Sequence, residues 1–525
     1  MSKGYHLLVL HAHLPYIKHI ESMDVLEERW LYEAITETYI PLIRLLNKQV
    51  SDNIEGSITI SISPTLISML TDKLLQERYL FSIVNSQELA HKELKRNKDD
   101  PAYYNLAAFY LELLHHAEAT FKQYDNNLIT AFKYLADKGK IELITTCATH
   151  GFLPLYQEYP QSVKAQVQGA LDLYQSQLGR LPRGMWLPEC GYYPGLDAML
   201  TECGLDYTFV ESHGLLNATP QPKYASFAPV ATSSGLCVFA RDSQSSKQVW
   251  SAEEGYPGDP DYREFYRDIG YELPLKYLAN CLPGGDVRTQ TGFKYYRITG
   301  KTEAKKPYKP EWGKSKADMH AQHYMEQRVK QIEDLSRNMQ LPPVILSPFD
   351  AELFGHWWFE GPVWLDYYMR KVASDQSSYE LITPSNYLDK NLTLQQADPA
   401  SSSWGANGYA DVWLDDSNKW IYPLVHSAVQ DMVELARYFQ TPSPIETRAL
   451  QQAAREVLLA QSSDWPFIIK TNTVTPYAEK RVKEHLEHFE ALKKGLWEKS
   501  IDEDYLSRLE IMNSICPNIN YTLFR

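Results

Sequence analysis

The chain lacks the paired cysteines of a disulfide framework. Six cysteines are scattered over 525 residues, and no two of them have CxxC spacing. Scattered thiols are typical of a reducing compartment. The first residues lead directly into an apolar strand, without the apolar core and cleavage site of a signal peptide. The sequence therefore predicts a cytoplasmic protein.

Long apolar runs and an excess of basic residues are absent as well. No run of eighteen apolar residues occurs, so we expect no membrane span. Lys and Arg number 52 against 66 Asp and Glu, which gives a net charge of −14. Because nucleic-acid binding depends on basic patches, a nucleic-acid partner is not expected. A neutral substrate is compatible with this charge.

Aromatic residues are abundant, with 12 Trp and 36 Tyr. Three Trp, one His and three acids lie between Asp350 and Trp364. Asp350 follows a short apolar run at 342–346 that predicts a buried strand, so it lies just past the carboxyl end of that strand. A carboxyl among aromatic rings loses solvation, which raises its pKa and suits it to act as a general acid near neutral pH.

Glu189 has a similar position. It follows a second short apolar strand and stands between Trp186 and Tyr192. Each acid, taken alone, could instead be a capping residue in a Trp-rich core or at a helix end. Two carboxyls at strand ends among aromatic rings are nevertheless the pattern of glycoside chemistry.

Strands and helices alternate through most of the chain, which predicts a parallel sheet. The chemical groups recur at strand ends, and these groups are His11, His13, His150, Glu189 and Asp350. Such an arrangement fits either a barrel or an open, doubly wound sheet. Beyond residue 396 the pattern becomes helical, with a capping box from Ser443 to Glu446.

The longer motifs are specific enough to indicate a family. The segments Trp186-Leu-Pro-Glu189-Cys-Gly-Tyr192 and Ser347-Pro-Phe-Asp350-Ala-Glu-Leu-Phe-Gly-His356-Trp-Trp resemble the nucleophile and acid/base regions of glycoside hydrolase family 57. Within that family the likeness is to the 1,4-α-glucan branching enzymes. His11-Ala-His13-Leu-Pro15, Thr149-His150-Gly151 and the segment 249–259 resemble further family regions.

This resemblance implies an α/β fold, a distorted (β/α)7 barrel with a small inserted domain and a C-terminal α-helical domain. The expected boundaries are 1–193 and 247–396 for the two parts of the barrel, 194–246 for the inserted domain with its lid loop, and 397–525 for the helical domain.

The resemblance also implies a retaining branching reaction without cofactor or metal. Glu189 would be the nucleophile and Asp350 the acid/base, and the cleaved chain would pass to a 6-hydroxyl, forming α-1,6 branches in a glycogen-like glucan. An α-1,4-glucan such as amylose or glycogen would be both donor and acceptor, and a monomer is expected. The implied substrate-binding residues are His11, His13, Trp30, His150, Trp250, His356, Trp404 and Trp413.

Several alternatives stay open. From composition alone, Glu352 and Glu360 rival Asp350 as the acid/base. An α-glucan hydrolase of the amylase type would result if water replaced the acceptor. The spacing of His11 and His13 is also compatible with a metal-dependent hydrolase, and a non-catalytic glucan-binding protein is a third class.

The stretch 217–235 is rich in Pro, Ser, Thr and Ala and predicts a long loop. By resemblance it corresponds to a lid whose tip Tyr covers the cleft and favours transfer over hydrolysis. Tyr224 and Phe227 are the candidates for that tip.

Overall fold

The structure, a computed structural model, describes residues 2–22, 25–251 and 255–525. Ten strands occur in these ranges. They are β1 (Gly4–Ala12), β2 (Ile58–Ile62), β3 (Ile141–Ile144), β4 (Gly184–Met185), β5 (Tyr207–Val210), β6 (Val230–Ala231), β7 (Cys237–Ala240), β8 (Val344–Asp350), β9 (Tyr379–Leu381) and β10 (Gln395–Gln396).

The strands form two sheets that are largely parallel. The first has the order β3, β2, β1, β8, with β9 also paired to β1, and the second has the order β10, β6, β7, β5, β4. A parallel bridge between Thr145 and Met185 links the two sheets. A second link joins β8, at the opposite edge of the first sheet, to the residues that follow β7. There the N–H of Asp242 donates to the carbonyl of Leu346 in β8 at 2.8 Å. The prediction of an α/β fold with parallel strands is confirmed.

The central strands are apolar because both of their faces are covered. All nine residues of β1 and all five of β2 are buried, as expected for parallel strands under helices. Fifteen α-helices lie before residue 390 in the described ranges. They are α1 (Glu28–Ala34), α2 (Ile40–Ser51), α3 (Pro64–Thr71), α4 (Lys73–Arg96), α5 (Pro101–Gln123), α6 (Leu128–Asp137), α7 (Pro160–Leu178), α8 (Leu196–Glu202), α9 (Ser212–Leu216), α10 (Ser243–Trp250), α11 (Ile269–Glu272), α12 (Leu275–Leu278), α13 (Pro310–Ser336), α14 (Gly361–Ser374) and α15 (Pro384–Leu388). A π-helical segment, Ile35–Tyr39, joins α1 to α2.

The segment 194–246 does not form the predicted inserted domain. It contains β5 and β7, which pair in parallel with each other, and β5 also pairs with β4. Tyr207, Phe209 and Phe239 from these strands enter one buried cluster with Tyr5 and Leu346 from β1 and β8. These strands therefore belong to the sheet, because their side chains complete its core.

A separate hydrophobic cluster lies elsewhere in the chain. It is built from α4, α5 and the segment 269–308. Apolar residues of α4 and α5, such as Leu89 and Leu106, belong to this cluster together with Ile269, Leu278 and Phe293. This part of the chain therefore has a core of its own.

The C-terminal part is helical, as predicted from its periodicity. Its helices are α16 (Ile421–Tyr438), α17 (Pro444–Ala460), α18 (Asp464–Thr471), α19 (Thr475–Glu498) and α20 (Glu503–Met512). The predicted capping box is confirmed, since the Ser443 side chain accepts from the N–H of Glu446 and the Glu446 carboxylate accepts from the N–H of Ser443. In the described ranges, no helix has both the length and the apolar character that crossing a bilayer requires.

Candidate active site

The carboxyl ends of the parallel strands bring the predicted residues together. Asp350 is the last residue of β8 and lies in register with His11 of β1. His11 is in register with Ser61 of β2. Glu189 follows β4 in the short 3-10 turn Pro188–Cys190. A parallel sheet places these ends at one edge, which is where ligand sites form in such folds.

Glu189 is held in an unusual backbone conformation by specific partners. Its φ of 59° lies in the left-handed region, which a non-glycine residue adopts rarely and mostly at functional sites. The indole N–H of Trp404 donates to its Oε2 at 2.6 Å, and the Ser463 hydroxyl donates to its Oε1 at 3.1 Å. Burial raises the pKa of Glu189 to about 7, with the Trp404 hydrogen bond opposing and the charge of Asp350 adding to the rise.

Asp350 is only partly exposed at the end of β8. Burial raises its pKa to about 6, and the positive charges of His13 and Arg241 oppose the rise. The two carboxyls interact, since the charge of Asp350 raises the pKa of Glu189, and they therefore titrate as a pair. The Trp404 and Ser463 donors stabilise the ionised form of Glu189, which is the form that a nucleophile needs.

Three histidines stack beside the two carboxyls. The rings of His13 and His150 lie 3.9 Å apart, and His11 is 5.0 Å from His150. Trp186 covers the other face of His11 at 4.8 Å and 10°. Burial lowers the pKa of His11 and of His150 well below the usual value. These two rings are therefore neutral, and their Nε2 atoms share a hydrogen bond of 3.0 Å.

His13 differs from its neighbours because Asp464 faces it. His13 Nε2 lies 3.1 Å from Asp464 Oδ2. Burial works against the charged ring, but Asp464, Glu352 and Glu189 outweigh it and raise the pKa of His13. Asp464 begins α18, next to Ser463, so the helical part of the chain completes the site. Sequence analysis missed both residues, because nothing local to the Ser462-Ser-Asp-Trp465 segment indicates which distant strand it meets.

The rivals of Asp350 have other partners. Glu352 Oε1 accepts the Tyr39 hydroxyl at 2.5 Å and the backbone N–H of His13 at 3.2 Å. Burial raises the pKa of Glu352 to about 7, and Asp350 adds to this. Glu360 instead accepts the N–H of Arg263 at 3.0 Å, outside the histidine cluster. Glu352 lies at the site but already has two donors, while Glu360 belongs to another part of the molecule.

The four predicted Trp residues are not equivalent. Trp404 contacts Glu189 directly and its ring stands 5.1 Å from Trp186. Trp413 is only 1% exposed and stacks on Phe152 at 4.7 Å. Trp30 is half-buried and meets Tyr477 edge to face at 5.8 Å, and Trp250 ends α10 with 47% of its surface exposed. Their roles in sugar binding stay predictions.

His356 is not brought into the histidine cluster. Its Nδ1 lies 2.8 Å from Glu37 Oε2 in the π-helical segment. The family-like segment 249–259 is partly outside the described ranges, because residues 252–254 are not among them. Of the rest, Tyr256 stacks on His320 at 4.5 Å.

The loop predicted to be a lid lies at the wrong end of the sheet. The carbonyl of Phe227 accepts the N–H of Val344, the first residue of β8, at 2.8 Å. The Tyr224 hydroxyl accepts the N–H of Gln340, just before that strand. Asp350 is at the opposite end of β8, roughly 20 Å away at about 3.3 Å per residue. Neither Tyr224 nor Phe227 can cover Asp350 from there, so the lid assignment is wrong.

Ring nitrogens that could ligate a metal have hydrogen-bond partners. His11 Nδ1 faces Ser61 Oγ at 3.1 Å, and His150 Nδ1 faces Ser463 Oγ at 2.8 Å. Over the described ranges, the three-residue group with ligand spacing is Glu456, His485 and His488 in the helical part. That group is already bound internally, since Asn513 donates to both oxygens of Glu456.

Two family profiles match the chain. Glycosyl hydrolase family 57 matches residues 7–397. The C-terminal domain described as 1,4-alpha-glucan branching enzyme, C-terminal, matches residues 424–524.

The proteins similar to this chain include branching enzymes and an alpha-amylase. A 1,4-alpha-glucan branching enzyme of Thermococcus kodakarensis is 30% identical, over 93% of this chain and 73% of that protein. The crystal structure of the alpha-amylase AmyC from Thermotoga maritima has a TM-score of 0.93 and 43% identity, covering 99% of each chain. A branching enzyme from Pyrococcus horikoshii has a TM-score of 0.90 and 31% identity, covering 100% of this chain and 97% of that one.

Proposed function

The chain belongs to glycosyl hydrolase family 57, and on that basis we propose that it is a retaining 1,4-α-glucan branching enzyme. The observation that carries the proposal is the pairing of Glu189 and Asp350. Each carboxyl has a raised pKa, and Trp404 and Ser463 favour the ionised form of Glu189. The match of residues 424–524 to the branching-enzyme C-terminal domain supports the same activity.

The reaction divides between the two carboxyls. Glu189 attacks the anomeric carbon of the donor while Asp350 protonates the departing glycosidic oxygen, which gives a covalent glycosyl-enzyme. Asp350 then removes the proton of a 6-hydroxyl on an acceptor chain, and that oxygen displaces Glu189. The product is an α-1,6 branch with retained configuration. Donor and acceptor are α-1,4-glucan chains, as in glycogen-like glucan.

His11, His13 and His150 would bind sugar hydroxyls next to the cleaved bond. They lie in the stack beside the carboxyls, and their rings offer donors and acceptors. Trp404 would pack against a sugar as well as orienting Glu189.

The fold proposed for this site is a distorted (β/α)7 barrel. The parallel strands β1, β2, β3, β4, β5, β7 and β8 support it. So do the bridge from β3 to β4, the hydrogen bond from Asp242 to Leu346, and the common interior cluster.

An α-glucan hydrolase is the second candidate. It is favoured by the 43% identity to the amylase AmyC, and by the position of the loop 217–229, which leaves the cleft without the predicted cover. Water then has easier access to the glycosyl-enzyme, and transfer depends on how firmly the acceptor is held.

Incubation with amylose separates the candidates. Branching gives α-1,6 linkages in excess of new reducing ends, while hydrolysis gives reducing ends with few branches. Glu189→Gln should abolish both products in a folded protein, because a neutral amide forms no glycosyl-enzyme. Loss of activity on chelation, restored by added metal, would instead support the metal-dependent alternative at His11 and His13.

A further inference from the structure

A cavity of about 730 Å³ lies apart from the catalytic carboxyls. Its walls come from α1 and α2, from the α4–α5 pair and from the segments 290–293 and 359–367. Neither Glu189 nor Asp350 lines it. Its volume falls within the roughly 300–1,000 Å³ that is usual for small-molecule sites, which are common at junctions between packed units. Here the junction is between the main core and the separate cluster of α4, α5 and 269–308.

One wall of this cavity is shared with the catalytic end of the sheet. The π-helical segment Ile35–Tyr39 presents Thr36 and Glu37 to the cavity and the Tyr39 hydroxyl to Glu352. Gly355 packs on the same segment so closely that a Cβ there would lie 1.8 Å from the Glu37 carbonyl oxygen. The cavity therefore backs onto the loop that follows Asp350. Such π-helical turns are frequent at functional sites.

The charges around the cavity nearly balance. Six Arg or Lys and five Asp or Glu side chains line it. The two buried arginines of the lining are paired, Arg78 with Glu28 at 2.7 Å and Arg263 with Glu37 at 3.3 Å. A site for an anion would carry a clear excess of positive charge, so this lining favours a neutral ligand.

The lining combines aromatic rings with hydrogen-bonding groups. Tyr32, Phe109 and Phe293 offer apolar faces. Burial raises the pKa of Glu33 to about 7, with His356 opposing. Near neutral pH its carboxyl is therefore present both as an acceptor and as an acid that donates. Gln290 adds amide donors. Flat apolar faces beside donors and acceptors match a ligand with many hydroxyls and apolar ring faces, which is a sugar.

We propose that this cavity binds a segment of neutral α-glucan at a site separate from the catalytic carboxyls. The class of sugar rests on the proposed function, whereas the site rests on the cavity, its balanced charges and its lining. A chain held there lies behind the acid/base loop and keeps a long glucan on the enzyme between reaction cycles.

The test counts bound sugar in a protein that cannot turn it over. The full-length Glu189→Gln protein is titrated with maltoheptaose by calorimetry, and backbone hydrogen exchange is followed with and without the sugar. Two maltoheptaose molecules per chain are expected, with slower exchange at 81–86 and 290–293 as well as at the catalytic end. Ser82→Trp, which fills the cavity from α4, should reduce the count to one and remove the slowing at 290–293. The matched Ser82→Ala should keep both.

Ser86→Trp, one turn further along α4, repeats the test if Ser82→Trp fails to fold. One bound molecule in the Glu189→Gln and Ser82→Ala proteins alike, with exchange slowed only at the catalytic end, would overturn the proposal. An apolar dye that binds the cavity and is not displaced by maltoheptaose would overturn it as well. The amylose assay on the unmodified chain is independent, so a protein inactive on amylose that still binds two maltoheptaose molecules contradicts the proposed function and not the second site.

Discussion

His13 and Asp464 form an ion pair between residues 451 positions apart, with His13 Nε2 at 3.1 and 3.2 Å from the two carboxylate oxygens. This contact ties the end of the first strand to the start of α18. It also keeps a positive charge beside the catalytic carboxyls, since the charge of His13 lowers the pKa of Asp350, Glu189 and Glu352. The helical part of the chain thus influences the proton balance of the site.

Asp464→Asn should therefore move the alkaline limb of the pH profile. Without Asp464 the pKa of His13 falls and its ring is neutral near pH 7. The pKa of Asp350 then rises, and because Asp350 must be protonated to act as the acid, activity extends to higher pH. The acid limb moves less. Losing the charge of Asp464 lowers the pKa of Glu189, whereas losing the charge of His13 raises it, and the two changes offset each other.

The expected fall in kcat of Asp464→Asn follows from the lost hydrogen bond between His13 and Asp464. A bond between charged groups contributes about 1.5–3 kcal/mol, so kcat should fall roughly tenfold or more at the original optimum. The measurement is kcat against pH for the parent and for Asp464→Asn. A uniform fall with both limbs unmoved would show that Asp464 has only a structural role.

Asp350→Asn should lose glucan activity but keep a reaction that needs no acid. On a substrate whose leaving group departs as a stable anion, Glu189 can still form the glycosyl-enzyme, so a burst of that leaving group is expected. On glucans, losing the general acid should cost about 10²–10⁴ in rate. Glu352→Gln is the matched control, and we expect it to be impaired on both substrates to a similar and smaller degree. The selective pattern appearing in Glu352→Gln instead would transfer the acid/base role to Glu352.

Much of the site was predictable because strand ends converge in a parallel α/β fold. His11, His150, Glu189 and Asp350 each follow an apolar run, and the structure places them together. Ser463 and Asp464 were not predictable, because helical periodicity describes how α17 and α18 pack and carries no signal for the strand they face. Composition likewise identified 217–235 as a loop but not the end of the sheet at which it lies. The difference in burial between Trp404 and Trp413 was not predictable for the same reason, since burial depends on contacts such as Phe152 that are remote in sequence.

Glu37→Gln should destabilise the fold more than it affects catalysis. Burial opposes ionisation of Glu37, but Arg263 and His356 outweigh it and lower its pKa to about 2. Because Arg263 is 4% exposed, removing its partner leaves a buried charge without compensation and should cost about 3–5 kcal/mol. Thermal or denaturant unfolding measures this, with the exposed Glu311→Gln as control.

The pH dependence of the free energy of unfolding tests the pair of Glu37 and Arg263. The pKa of Glu37 is lower in the folded chain than its usual 4.5, so its stabilisation is present above pH 4.5 and is lost as pH falls towards 2. The difference between parent and Glu37→Gln should therefore narrow in that interval. A constant difference from pH 7 to pH 3 would contradict the assigned pair.

Trp404→Phe and Trp413→Phe should separate orientation of the nucleophile from packing. The indole N–H of Trp404 donates to Glu189 at 2.6 Å and lowers the pKa of that carboxyl. Phe keeps the ring but not the donor, so the pKa of Glu189 rises and the acid limb of the pH profile moves to higher pH. Loss of about 1.5–3 kcal/mol from a hydrogen bond to a charged group corresponds to roughly ten- to a hundredfold in kcat.

Trp413, whose indole nitrogen has no hydrogen-bond partner within the described ranges, fills space against Phe152. Trp413→Phe should therefore lower the free energy of unfolding by about 1–3 kcal/mol, and with it the melting temperature, while the pH profile stays in place. An unmoved acid limb in Trp404→Phe would contradict its part in ionising Glu189. A rise in KM for long glucans with unchanged stability in Trp413→Phe would mean that the Trp413 ring becomes exposed when glucan binds and serves as the platform predicted from the sequence.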